Sequence, residues 1–133
     1  MQLPVTAMVA AGSAILLLIL AIDTIRNRLR TKVAFGDGGD ARLTSASRAH
    51  GNLAEHAPIV ILLLAFLEMS RANHMALMAI GALFIAGRVS HIIGLYAPMN
   101  TKPPLPRSIG VIVTWLTLAV LSGWILGMLA TES

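Results

Sequence analysis

The sequence predicts an all-α protein: one integral membrane four-helix bundle spanning residues 1–133. Three observations predict it. Hydrophobic residues make up 56% of the chain, charged residues only 12%, and mean hydropathy is +0.79. A soluble domain carries about 25% charged residues, and a small one needs more polar cover than a large one. The apolar residues also fall into four runs, and polar or glycine-rich stretches separate the runs. The same composition argues against a disordered chain, which needs low hydrophobicity and high charge.

The first run, Val5 to Ile22, has no charge and is about long enough to cross a hydrocarbon core of roughly 30 Å. Basic residues follow it (Arg26, Arg28, Arg30, Lys32) and none precedes it. A secretory signal has the reverse order, so this run reads as a retained membrane helix, about 3–25. Gly36, Asp37, Gly38 and Gly39 then mark a loop. No strand precedes that loop and no P-loop lysine follows, so it does not read as a phosphate cradle.

The second run (Ala57–Leu67) and the third (Met75–Gly87) are each too short to span alone. Helices of about 47–69 and 75–97 therefore include polar residues: Arg48, Asn52, Glu55 and His56 on one, Arg88, His91 and Tyr96 on the other. The connection between them, Ser70 to His74, is short. Helices joined so briefly are antiparallel neighbours, so their polar ends lie at one membrane level. The fourth run, Ile109–Ala130, spans unaided as a helix of about 108–130.

Basic residues flank one membrane side: Arg26, Arg28, Arg30, Lys32 and Arg42 after helix one, Lys102 and Arg107 before helix four. The other side has only Arg71. Basic loops stay cytoplasmic. Both termini are thus expected outside, periplasmic in a bacterium, with the polar ends facing the cytoplasm. The net charge of +4 reports topology and contact with membrane lipid rather than nucleic acid, since no aromatic–basic cluster accompanies it.

Arg48, Asn52 and Glu55 are spaced i, i+4, i+7, within about 60° on one helix face. His56 borders that face and His50 points away. Arg88 and His91 share a face on helix three. Ionisable groups at membrane depth are costly and persist when paired or when lining a cavity. One reading is a structural lock through an Arg48–Glu55 or Glu55–Arg88 pair. The other is a cleft whose donors suit carboxylates and whose acceptor suits an ammonium, as a zwitterionic peptide offers. Pro58, beside Glu55, removes a helix hydrogen bond toward Ala54 and is expected either to kink or loosen the helix or to be tolerated, as prolines in membrane helices are. The His and Glu spacing is not that of a zinc helix, so no metal is expected. The chain has no cysteine, which excludes a disulfide, a thiolate metal site and a catalytic cysteine.

The string Arg48-Ala49-His50-Gly51-Asn52-Leu53-Ala54-Glu55-His56-Ala57-Pro58 resembles the R-x-H/Q-x-N-x-x-E-x-x-P signature of the MAPEG family, the membrane-associated proteins in eicosanoid and glutathione metabolism. Gly87-Arg88-Val89-Ser90-His91 and Pro104-Leu105-Pro106-Arg107 resemble its helix-three segment and its approach to helix four. With the Phe35-to-Gly39 loop, the likeness covers essentially the whole chain and points to the small bacterial branch, in the inner membrane.

The resemblance implies a homotrimer with glutathione, as co-substrate, bound between protomers. It places Arg48, Asn52 and Glu55 on the glutathione backbone. It has His50 reach a neighbouring protomer's site and puts His56, Arg88 and His91 at matching site positions. Arg107 is implied as the catalytic arginine that stabilises the thiolate, although the preceding loop is longer than in the leukotriene-conjugating synthase. Arg26, Arg28 and Arg30 compete for a helix-one arginine, with Arg30 preferred. Leu95 departs from the family by replacing a tyrosine, and Tyr96 lies on a different face.

The implied function is a membrane-bound glutathione-dependent transferase or peroxidase acting on lipophilic small-molecule electrophiles. The alternative is a non-catalytic oligomeric membrane protein whose polar cluster is a structural lock or a lipid- or thiol-binding site. Gly12, Gly81, Gly123 and Gly127 would permit close helix packing.

Overall fold

The computed structural model describes residues 1–98 and 103–132; Lys102, counted above among the basic flanks, lies outside them. Four helices form the chain: α1 (Pro4–Thr31), α2 (Ala41–Met69), α3 (His74–Tyr96) and α4 (Leu105–Glu132). Each is long and apolar enough to cross a membrane.

α1 starts with Pro4 in its first turn, where a missing N–H costs nothing. Its leading residue supplies no side-chain cap. The cap comes from the far end of α2: the Glu68 carboxylate accepts from the Val5 N–H (2.9 Å), the Thr6 N–H (2.8 Å) and the Thr6 hydroxyl (2.8 Å). A carboxylate at a helix N-terminus satisfies orphan donors and meets the positive end of the helix dipole.

α1 runs on to Thr31, past the expected end near 25, and α2 begins at Ala41, ahead of the expected 47. Local chemistry supports both extensions. Arg28 and Arg30 sit in the last turn of α1, where cations favour the helix dipole. Arg28 also donates to the Val33 and Gly36 carbonyls, folding the loop back. Lys32 and the three loop glycines take positive φ, a region that glycine enters without steric penalty. Asp40 then caps α2 by accepting from the Leu43 N–H at 2.9 Å. α2 continues through Pro58 to Met69. Asn73 caps α3 through the Ala76 N–H.

α1 packs chiefly on α2, and α3 chiefly on α4; α2 touches all three others, while α1 and α4 do not meet. The core is aliphatic, built from Val5, Val9, Leu53, Val60, Leu64, Leu77, Phe84 and Leu121 among others. It is thin. Within the most hydrophobic window of each helix only 22–33% is buried, leaving residues such as Ile15, Leu18, Trp115, Leu116 and Leu126 exposed. Apolar surface on that scale is stable only against lipid or another protein.

α3 and α4 approach closely at their glycines. A Cβ on Gly94 would land on the Arg107 backbone, and one on Gly110 would land on His91. Gly87 and Gly81 instead make room for the side chains of Val113 and Val9. Small residues let membrane helices approach backbone to backbone. Of the glycines singled out from the sequence, Gly12 faces the Ile85 side chain and Gly81 the side chains of Val5 and Val9. Gly123 and Gly127 have open space around them within the chain.

A polar cleft between α2, α3 and α4

The close approach at Gly94 holds the first turn of α4, and with it Arg107, against the end of α3. Ser90 adds a hydrogen bond from its hydroxyl to the Pro106 carbonyl at 2.8 Å. The cleft that results has a volume of about 380 Å³ and is lined by Ser47, Arg48, Gly51, Asn52 and Glu55 of α2, His91 and Leu95 of α3, and Arg107 of α4. That volume lies in the range of small-molecule sites, roughly 300–1,000 Å³.

Behind this lining lies a buried hydrogen-bonded layer. Arg88 is 1% exposed and ties three helices together. Its guanidinium donates to Asn52 Oδ1 of α2 at 2.7 Å, to Thr114 Oγ1 of α4 at 3.3 Å, and weakly to His91 Nδ1 at 3.4 Å. Since arginine only donates, His91 Nδ1 accepts and the ring proton sits on Nε2. His56 is oriented in turn, its Nδ1 donating to the Asn52 backbone carbonyl one turn earlier at 2.7 Å. Among the described residues the buried Arg88 Nε has no partner.

The lock envisaged from the sequence does not form. Among the described residues neither Arg48–Glu55 nor Glu55–Arg88 is an ion pair; the pair present is Arg30–Asp40, at 2.7 Å. Asn52 takes the place expected of Glu55 as the partner of Arg88, and Glu55 is left exposed at the cleft.

The structure thus brings together Arg48, Asn52, Glu55, His91 and Arg107. Arg88 stands behind them and His56 beside them. Two expected residues lie elsewhere in the single chain. His50 lines a shallow hollow on the α1 side with Thr24, Ile25 and Arg28. Arg30 pairs with Asp40, bonds Asn27 and lines a separate hollow at the end of α1. Three residues escaped the sequence reading. Ser47 and Gly51 precede Glu55 by two turns and one turn on the same face. Thr114 follows Arg107 by seven residues, a polar position on an apolar helix.

The loop after α1 borders the cleft through Arg48, which shares a small hollow with Gly36, Asp37 and Thr44. The Gly39 N–H and the Thr44 hydroxyl hold the Asp37 carboxyl below the usual carboxylate range, and the Arg48 charge adds to this. Arg30 and the Leu43 N–H lower Asp40 likewise. Both groups therefore stay ionised and keep the loop attached to α2. Among the described residues, no three His, Asp or Glu side chains are grouped to hold a metal ion.

Comparison with known proteins gives a consistent answer. The MAPEG family model matches residues 6–127. The inner membrane protein YecN of Escherichia coli (strain K12) is 37% identical over 117 residues, covering 88% of this chain and 86% of that protein. YecN of Escherichia coli O6:H1 matches to the same extent. No solved structure gives a significant match. With a bundle of four membrane-length helices and a family match along nearly its whole length, the chain belongs to the MAPEG family.

Proposed function

We propose that this protein is a glutathione-dependent transferase or peroxidase of the membrane, acting on lipophilic electrophiles as a homotrimer. The observation that carries the reading is the convergence of unpaired charge in the cleft. Arg48, Glu55 and Arg107 meet around one cavity, and among the described residues none of their side chains makes a hydrogen bond or ion pair. Two guanidinium groups, a carboxylate and an oriented amide suit a ligand with two carboxylates, an ammonium and peptide groups. Glutathione has that set. Membership of a family that includes glutathione transferases and peroxidases supports the same choice.

In this reading Arg48 and Asn52 hold the peptide's carboxylate and backbone, and Glu55 accepts from its ammonium. Arg107 lies where it favours the charged form of the thiol, because a nearby cation lowers a thiol pKa and the thiolate is the nucleophile. The sulfur then attacks an electrophilic carbon, an S–C bond forms, and the leaving group departs with the bonding electrons. With a lipid hydroperoxide, two thiols become a disulfide while the peroxide becomes an alcohol and water. The electrophile reaches the cleft sideways from the bilayer. Arg48 and Glu55 are exposed in the single chain, so a neighbouring copy would complete the site and bring His50 or Arg30 to it. The basic end would face the cytoplasm, as basic flanks direct.

The test is calorimetric titration of the purified protein with glutathione, paired with turnover of an aryl halide. Saturable binding and turnover, both reduced in Arg48→Ala, are expected. A protein showing neither overturns the reading.

A further inference from the structure

A second polar hollow lies at the same end of the bundle, on the opposite flank of α3. It has a volume of about 360 Å³ and is lined by Asp23, Arg26, Asn27 and Arg30 of α1, Arg42 of α2 and Tyr96 of α3. It shares no residue with the cleft between α2, α3 and α4. Of this lining the thiol reading calls on Arg30, brought to a neighbouring copy's site; it leaves Arg42 and the Asp23–Tyr96 pair unexplained.

The charges here can be followed one by one. Arg30 is neutralised by Asp40 at 2.7 Å and bonded to Asn27 Oδ1. Asp23 accepts from the Tyr96 hydroxyl at 2.6 Å, which fastens the end of α3 to α1. Among the described residues Arg26 and Arg42 make no side-chain hydrogen bond or ion pair. Two free guanidinium groups against one carboxylate leave the hollow with an excess of one positive charge.

Apolar stripes run up to this hollow. On α1, Ile15, Ile19 and Ile22 are 50–60% exposed and precede Arg26 at helical spacing. On α3, Val89 and Ile93 are exposed and lead to Tyr96 at the same spacing. α1 and α3 run in the same direction through the bundle, so both stripes end at the hollow. A ligand matching the whole surface is amphiphilic: two acyl chains against the isoleucines, and a single negative charge among the arginines.

We propose that this hollow is a binding site for an anionic phospholipid, with Arg26 and Arg42 holding the phosphodiester. Basic pockets between membrane helices recognise lipid headgroups in this way, and guanidinium forks match phosphate oxygens in pairs. The excess of one charge fits a monoanionic headgroup such as that of phosphatidylglycerol. Asp23 is placed to accept from headgroup hydroxyls.

The experiment is native mass spectrometry of the full-length protein, released from mixed micelles of phosphatidylglycerol and phosphatidylcholine. The wild type is expected to retain phosphatidylglycerol selectively, and soluble glycerol phosphate should not displace it. The Arg26→Gln/Arg42→Gln double variant should lose retention roughly thirtyfold, from about one surface basic residue's contribution at each site. Arg26→Lys/Arg42→Lys, which keeps the charge, should recover part of it, and Arg71→Gln at the other end should match the wild type. If the glutamine variant fails to fold, the wild type alone still decides, because retention held by charge must weaken as salt rises. Equal retention of both lipids, salt-independent retention, or an unaltered double variant would overturn the proposal. Displacement by glycerol phosphate would also overturn it, in favour of a soluble phosphate ligand. Glutathione binding is read separately, so failure here leaves the α2–α3–α4 cleft untouched.

Discussion

The two ends of the bundle treat their polar groups in opposite ways. At the end holding Glu68, each carboxylate oxygen has a donor and Asn73 closes the first turn of α3. Polar groups there finish the fold. At the other end Arg48, Glu55 and Arg107 converge on a cavity and, among the described residues, their side chains have no partner, while Asn52 beside them is bonded to Arg88 behind. Polarity alone is therefore a poor guide to function in a membrane chain. What separates the two ends is whether the groups satisfy one another or remain available to something else.

Four changes sharpen that contrast. The largest effect is expected at Glu68. Glu68→Ala removes an acceptor of three hydrogen bonds and should lower stability by about 2–4 kcal/mol, given charged hydrogen bonds of ~1.5–3 kcal/mol each that are partly replaced by water. Thermal unfolding in detergent reads the loss, and glutathione affinity per folded protein should not change.

Next is Gly94→Ala, whose new Cβ meets the Arg107 backbone. Overpacking of this kind costs about 1–3 kcal/mol. It should also weaken glutathione binding, because Arg107 moves with the turn. A variant that unfolds earlier yet binds normally would show that α4 is not what positions the site.

Arg48→Ala and Glu55→Ala should do the reverse of Glu68→Ala. Among the described residues their side chains complete no hydrogen bond, so unfolding should shift by no more than about 0.5 kcal/mol. Glutathione affinity should fall roughly tenfold to a hundredfold for a lost charged hydrogen bond. Loss of stability in either variant would move these residues into the structural class.

The smallest effect is at the loop. Asp37 and Asp40 lie below their ordinary value of 3.8. A carboxyl whose folded pKa is depressed contributes fully above its unfolded pKa and loses that contribution as pH falls through the folded one. Nuclear magnetic resonance titration of the Gly39 and Leu43 amides should therefore show midpoints below 3.8, with the loop loosening only there.

Much of this organisation was legible in the sequence. Uncharged runs located α1 and α4, and the shortness of the other two runs indicated that α2 and α3 include polar residues. α2 runs through Pro58, as the single expected helix of about 47–69 allowed. The i, i+4, i+7 spacing placed Arg48, Asn52 and Glu55 on one face, where the cleft lies. Other features were not legible. The helical ends at Thr31 and Ala41 carry no apolar period to reveal them, and their extension depends on Arg28, Arg30 and Asp40 finding loop and cap partners. The choice of Asn52 over Glu55 as partner for Arg88, and the glycines at 94 and 110, depend on distances between helices. A single helix's pattern does not encode those.

The most direct test of the cleft is the ultraviolet thiolate band of glutathione bound to the purified protein, wild type against Arg107→Ala, at neutral pH. The wild type should show a thiolate signal that saturates with glutathione. Arg107→Ala should still bind the peptide through Arg48, Asn52 and Glu55 but lose the band. Equal thiolate signals in both proteins, or none in the wild type, would contradict the assignment of Arg107 and of the unpaired cleft as a thiol site.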